Sequence, residues 1–168
     1  MSGHTQQFPK YDPQAIEPKW QQSWQEADLY LASEGAEGSA GGTKPKFYCL
    51  EFFPYPSGDG LHVGHCRNYM PTDVISRYKR MRGFNVLHPM GWDAFGEPAE
   101  QHAIAHNIHP EETTRRNTAN FRRQLTLMGS GYDWSREIFS TDAGYYRWTQ
   151  FFFLLLYRRG LAYRDANW

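Results

Sequence analysis

Cysteine is scarce, with only Cys49 and Cys66 in 168 residues, and both lie inside apolar patterns. Two thiols so placed argue against a disulfide framework and fit a reduced, cytoplasmic protein. There is no amino-terminal secretory signal. The longest apolar run, from Phe151 to Tyr157, is far short of the roughly 20 residues that a membrane-spanning helix needs, so no membrane partner is expected. Net charge is also missing: 18 basic side chains balance 18 acidic ones, and bulk electrostatics select no partner. Two common phosphate-binding signatures are absent as well. No GxxxxGK[ST] occurs, and the glycines at 58, 60 and 64 do not make GxGxxG. The length allows one domain with a real core, but it does not distinguish a small complete domain from part of a larger one.

What is present centres on Phe52 to His65, FFPYPSGDGLHVGH. An apolar segment, Lys46 to Phe53, reads as a buried parallel strand, apolar on both faces. It runs into a turn stiffened by Pro54 and Pro56, where Gly58 and Gly60 permit unusual dihedrals. Beyond the turn, Cys66, Tyr69, Met70, Val74, Ile75, Tyr78 and Met81 recur at helical spacing. A helix opening past the carboxyl end of a strand offers free backbone N–H groups and the positive end of a dipole, both of which attract phosphate. His62 and His65 fall at that mouth, where an imidazole can donate to phosphoryl oxygens whose charge grows in a transition state. Gly64, between them, lets a base or ribose approach the backbone. The same HxxH spacing also suits a metal pair or two capping histidines, and the motif alone does not choose.

A second stretch, HPMGWDAFGEPAEQ from His88 to Gln101, follows the short apolar run Phe84 to Leu87 and sets Asp93 on a glycine-flanked turn. It repeats the order of strand, turn and helix. On residue type alone, Asp93 is read first as a cap of the next helix.

PYPSGDGLHVGH followed by GFNVLHPMGWDAFGEPAE resembles the amino-terminal half of the catalytic domain of class I aminoacyl-tRNA synthetases, in the bacterial leucyl-tRNA synthetase family. HVGH stands where that superfamily has its HIGH signature. The resemblance runs from about Tyr11 to Trp168. It implies an α/β fold, the first half of a Rossmann-like doubly wound parallel sheet with its ligand crevice at the carboxyl ends of the strands, preceded by an amino-terminal helix. It further implies that His62 and His65 are the catalytic pair and, with Gly64, bind ATP. Phe53 and Tyr55 would line the amino-acid pocket, and Asp93 would fix the substrate's α-ammonium. Leucine, ATP with Mg²⁺ and tRNA(Leu) are the implied substrates, with no dedicated protein metal cage. Glu97 departs from the family, which has leucine there, and this bears on local packing.

Pro13 to Asp28 reads as an amphipathic helix capped by Asp12, with Ile16, Trp20, Trp24 and Ala27 on one face, and both tryptophans are expected to be structural. Residues 33–45 form a small-residue linker between an arm and helix (1–32) and the catalytic half-domain (46–168). Pro71 conflicts with a helix interior. Either the helix starts near Arg67, or it starts at His62 and carries the proline. His102 and His106 share a helix face, but the glutamate of HExxH is missing and an exposed polar face is favoured over a metal site. From Glu111 onward nine arginines face six acids, a mild basic bias best read as a solvated face. YDWSR at 132–136 and a helix from Asp142 to Arg159 are similar to segments of the same family and are read as aromatic core.

The family's editing insert and KMSKS half do not follow within these residues. The chain is therefore expected to be the amino-terminal portion of a larger, monomeric enzyme, with little activity alone. Two alternatives stay open: a nucleotidyltransferase with an HxGH-type cradle, and a truncated domain that only binds.

Overall fold

The computed structural model describes residues 10–34, 44–56 and 60–165, apart from the side chains of Pro98, Ala99 and His102. Helix α1 spans Pro13–Glu26, with the Asp12 carboxylate accepting from Gln14 N at 3.1 Å. Strand β1, Lys46–Tyr48, is followed by α2, Val63–Met81, and by β2, Asn85–Leu87. Then come β3 (Gly91–Trp92), α3 (Glu97–His106), α4 (Pro110–Leu127), a single 3-10 turn at Trp134–Arg136, β4 (Ile138–Phe139) and α5 (Ala143–Arg158).

Both strand pairs are parallel, with β1 against β2 in the register Phe47↔Val86 and β3 against β4 in the register Trp92↔Phe139. Each pair is closed by a helical crossover, as parallel pairing demands. Backbone bonds from Asp133 N to His88 O (2.8 Å), Ile138 N to Met90 O (3.2 Å) and Asp93 N to Pro54 O (3.1 Å) extend these short ladders. The segment 85–93 thus runs between 46–54 on one side and 132–140 on the other. The expected α/β half of a doubly wound sheet is what the chain forms, with the amino-terminal helix ahead of it.

Its core is Tyr69, Met90, Trp92, Phe121, Leu125 and Tyr132, with Phe53, Leu61 and Phe139 packed on the rim. Below it, Asp73 on α2 takes the Gly131 N–H at 2.7 Å and Arg77 Nε at 2.6 Å, tying the helix to the segment that leads toward β4. Arg77 and Arg80 lie over the Tyr30 ring, both at 5.1 Å, and Arg77 also faces Trp24 at 5.2 Å. These cation–π contacts dock the tail of α1.

Three expectations fail here. Regular pairing of the first strand stops at Tyr48, well before Phe53. Nor is that segment covered on both faces: Cys49 and Glu51 are buried, while Tyr48, Leu50 and Phe52 are exposed, since α2 screens one side and no described element covers the other. In α1, Trp20 is half exposed and no residue is buried, so only Trp24 is structural as expected. The aromatic-core reading of α5 is overturned more completely. The whole of Phe151–Tyr157 is exposed and the helix buries nothing, although an all-round apolar helix normally sits inside a fold. Tyr132, by contrast, is core.

Pro71 is carried inside α2, which begins at its cap His62, so the second of the two alternatives is the one observed. Thr72 Oγ1 donates to Asn68 O at 3.0 Å beside the missing N–H. The linker's centre lies outside the described residues, as does Gly58. Its first residue is held, because Ser33 N and O pair with the Asn85 side chain at 3.1 and 2.8 Å.

Candidate active site

The turn that delivers the histidines is anchored from α4. Asn117 Nδ2 donates to Pro56 O at 2.8 Å on one side of the turn, and Gln124 Oε1 accepts from Leu61 N at 2.7 Å on the other. These two residues lie two helical turns apart and therefore share a face. Nothing in their residue type singles them out in the sequence.

His62 caps α2. Its Nδ1 accepts from Gly64 N at 3.1 Å, while His65 Nδ1 accepts from His62 N at 3.1 Å, which makes a reciprocal capping box. Both Nδ1 atoms are acceptors, so each neutral ring must carry its proton on Nε2. The amides of His62 and Gly64 are consequently occupied. Two of the backbone N–H groups expected to be free at this helix start are thus taken, and two imidazole Nε2–H groups stand in their place as donors.

Gly64 serves this arrangement, because a Cβ there would stand 2.9 Å from His62 Nδ1. The rings of His62 and His65 lie 4.0 Å apart, and His65 rests against Tyr69 at 5.8 Å and Phe121 at 5.9 Å. Burial, then the neighbouring His62, pulls the His65 pKa below its ordinary value of 6.5. The fold thus favours the neutral ring. Its stabilising contribution is present above the ordinary imidazole range and is lost as pH falls through the lowered value. Acidification from neutral pH should lower the melting temperature through this box, and a His65→Asn chain should lose that part of the acid sensitivity in thermal unfolding.

Asp93 follows β3 and does not cap α3, whose N-cap is Gly96 with φ 146° and no side-chain bond. Glu97, exposed in the first turn, suits the positive end of the dipole, so the departure from leucine disturbs no packing. Asp93 instead lines a cavity of about 460 Å³ together with Phe53 and Tyr55. Phe52, Phe95, Tyr145 and Tyr146 add further rings, and Ser140 and Thr149 complete the wall. No lysine or arginine lines it, and among the described residues the Asp93 carboxylate has no hydrogen-bond or ion-pair partner. A single carboxylate among aromatic faces suits a ligand carrying both a cation and an apolar group, since the rings accept either.

Ser140 holds the rim by accepting from Ala94 N at 2.8 Å, and its own N donates to Trp92 O at 3.0 Å. The three expected pocket residues are therefore brought together. Missed in the sequence were Phe95, Ser140 and the first turn of α5, because only the crossover of α3 and α4 brings residues 140–149 beside Asp93.

The histidine pair does not line this cavity. It is reached through a short chain of rings, from His65 to Tyr69 and from Tyr69 to Phe52 at 6.4 Å, with Phe52 on the cavity wall. His109, the last of the three carboxyl-side histidines, caps α4 by accepting from Glu111 N at 3.2 Å. No group of three or more metal-ligating side chains occurs among the described residues.

Phe53 owes its position to Gly91. A Cβ at 91 would stand 2.6 Å from Phe53 Cζ and closer still to a second ring atom. Gly91→Ala should displace the ring and weaken binding of a ligand seated against Phe53 by about 10-fold or more, measured by calorimetric titration of the cationic, apolar ligand that the cavity suits.

A family model described as tRNA synthetases class I (M) matches residues 50–167, which include both histidines and the whole Asp93 turn. The chain belongs to the class I tRNA synthetases. Among curated relatives it is 54% identical over 162 residues to a leucine–tRNA ligase of Sorangium cellulosum, covering 95% of this chain and 18% of that protein. It is 56% identical over 154 residues to one of Chlamydia abortus, covering 92% and 18%. Among solved structures it is similar to the ternary complex of Agrobacterium radiobacter K84 LeuRS with tRNA and LeuAMS, with a TM-score of 0.80, 40% identity, and 93% of this chain and 19% of that one covered. A Mycobacterium tuberculosis methionyl-tRNA synthetase bound to methionyl-adenylate aligns at a TM-score of 0.62 and 28% identity, over 69% of this chain and 22% of that one. This class I synthetase chain spans less than a fifth of the length of the curated relatives named here.

Proposed function

We propose that this chain is the amino-terminal half of the catalytic domain of a leucine–tRNA ligase, with residues 1–32 as an arm and helix and 46–168 as the half-domain. The whole enzyme activates leucine with ATP to leucyl-adenylate and passes the leucyl group to tRNA(Leu). The observation that carries this reading is the Asp93 carboxylate, without a partner among the described residues, in an aromatic cavity one ring away from two imidazoles whose Nε2–H groups face no acceptor among those residues. The resemblance to relatives named as leucine–tRNA ligases supplies the amino acid.

In this reading Asp93 pairs with the α-ammonium, while Phe53 and Tyr55 pack on the side chain. The leucine carboxylate is thereby turned toward the α-phosphate of ATP, and holding two reactants in line is itself a large part of the acceleration. His62 and His65 donate from Nε2 to phosphate oxygens as charge develops during displacement of pyrophosphate, and neither becomes a nucleophile. Gly64, whose missing side chain seats the His62 ring, also keeps the backbone low beneath the adenosine. Mg²⁺ enters with the ATP phosphates as part of the substrate, and the chain contributes no carboxylate cage among its described residues. A cytoplasmic, monomeric enzyme completes the proposal.

Leucine-dependent exchange of pyrophosphate into ATP by the full-length polypeptide is the test. Exchange that requires leucine supports the reading, and exchange driven only by another small metabolite replaces it with a nucleotidyltransferase.

A further inference from the structure

Between the two segments that carry the cavity residues, the backbone ladder is interrupted. Cys49 N donates to Leu87 O at 2.8 Å, and the next bond across the same pair of segments is Asp93 N to Pro54 O at 3.1 Å. No backbone hydrogen bond joins 50–53 to 88–92. In that gap lies a buried polar group that neither the proposed chemistry nor the capping arrangement uses. Glu51 Oε1 and His88 Nε2 are 3.4 Å apart, with their side chains 4% and 0% exposed.

Each has a second anchor. Tyr132 donates its hydroxyl to Glu51 Oε2 at 2.8 Å, and its ring lies 4.5 Å from that of His88. His88 Nδ1 is 3.2 Å from Gly131 O. A carbonyl only accepts, so Nδ1 carries a proton. Oε1 and Nε2 face each other at ion-pair distance, and neither has a hydrogen-bond partner among the described residues.

A buried acid and imidazole are a poor way to gain stability, since apolar side chains of similar volume fill such a space as well or better. What the pair fixes is spacing. Glu51 lies two residues before Phe53 and four before Tyr55, and His88 five before Asp93. Gly131 and Tyr132 begin the segment that reaches Ser140. All three arms lead to the walls of the same cavity.

We infer that Glu51 and His88, braced by Tyr132, are positioning residues for amino-acid recognition, setting the distance between the strand end bearing Phe53 and Tyr55 and the one bearing Asp93. This inference rests on the proposed function. Neither residue touches the substrate, and the effect passes through the backbone where the ladder is open. Because the ATP side of the site is held separately, by Asn117, Gln124 and the capping box, loss of the pair should act on the amino acid alone.

The experiment uses the full-length enzyme carrying this segment and compares Glu51→Leu with the double variant Glu51→Gln, His88→Gln, in which two neutral amides restore the link. Leucine-dependent pyrophosphate exchange gives KM for leucine and for ATP, and thermal unfolding is recorded beside it. The expected result for Glu51→Leu is a KM for leucine raised about 10-fold to 100-fold at unchanged KM for ATP, with the double variant recovering most of the loss. If Glu51→Leu does not fold, Glu51→Met, which keeps the length of the side chain but neither contact, is read the same way. An unmoved KM for leucine overturns the inference, and so does a parallel rise for both substrates that tracks the fall in melting temperature. Absence of leucine-dependent exchange in the unsubstituted enzyme overturns the proposed function and this inference together, whereas normal exchange there with unmoved variants overturns the inference alone.

Discussion

Replacing His65 by alanine in the full-length enzyme is expected to slow leucine-dependent pyrophosphate exchange by about 10²–10³-fold, the usual cost of removing one donor aimed at developing charge. Two losses combine. The Nε2–H donor disappears, and the acceptor for His62 N goes with it, which opens half of the capping box. Leucine affinity should change little, because the histidine pair does not line the cavity that holds Asp93. His65→Asn separates the two losses: a side-chain oxygen can still accept from His62 N, as a capping residue does, but no donor reaches the phosphates. Stability should recover in that variant and the rate should not. A His65→Ala enzyme exchanging pyrophosphate at the unsubstituted rate would remove the imidazole from the mechanism.

The second large effect should come from Asp93 and be of the opposite kind. Asp93→Ala takes away the one charge that the described residues place on the wall of the proposed amino-acid cavity, and removing one member of a desolvated charge pair costs roughly 2–5 kcal/mol. That corresponds to a loss of leucine affinity of about 30-fold to several thousand-fold. Asp93→Asn keeps the shape and a hydrogen-bond acceptor but not the charge, and should lie between. Calorimetric titration of leucine into each variant reads this directly. Stability should be nearly unchanged, because the carboxylate has no partner to lose among the described residues, and its backbone bond to Pro54 survives the substitution. An equal loss of ATP affinity would mean that Asp93 shapes the site as a whole and does not bind the ammonium.

In the proposed reading, the two substitutions would divide the site into a phosphate end built on the start of α2 and an amino-acid end built on the strand termini. Tyr69 and Phe52 form the short aromatic bridge between them. Tyr69 is fully buried and its hydroxyl has no hydrogen-bond partner among the described residues, and burial, then the nearby Glu51 carboxylate, holds its pKa far above the ordinary phenol range. It remains an uncharged wall throughout the working pH range.

Much of this was legible before any coordinates. Strand, proline-stiffened turn and helix can be read from period and composition, because each depends on neighbours close in sequence. Pro71 marked a local conflict that the chain settles by carrying the proline within α2. The gathering of Phe53, Tyr55 and Asp93 could be anticipated from the resemblance, since two motifs at that spacing belong to a parallel crossover.

Residue order by itself determined the α/β alternation, the parallel sense that the helical crossovers impose, and the presence of two imidazoles at a helix mouth. Only the tertiary structure decided which atoms are available there, because the imidazole nitrogens consume the amides that an isolated helix start would leave open. It also decided what is covered. The apolar stretch along 46–53 and the apolar run of α5 look like interior in the sequence, yet burial depends on what packs against a face, and the described residues cover the first on one side only and leave the second exposed. The Glu51–His88 pair could not be foreseen for the same reason: the two residues are 37 positions apart, and only the packing of the two segments side by side, where the hydrogen-bond ladder is interrupted between Cys49 and Pro54, sets a carboxylate beside an imidazole.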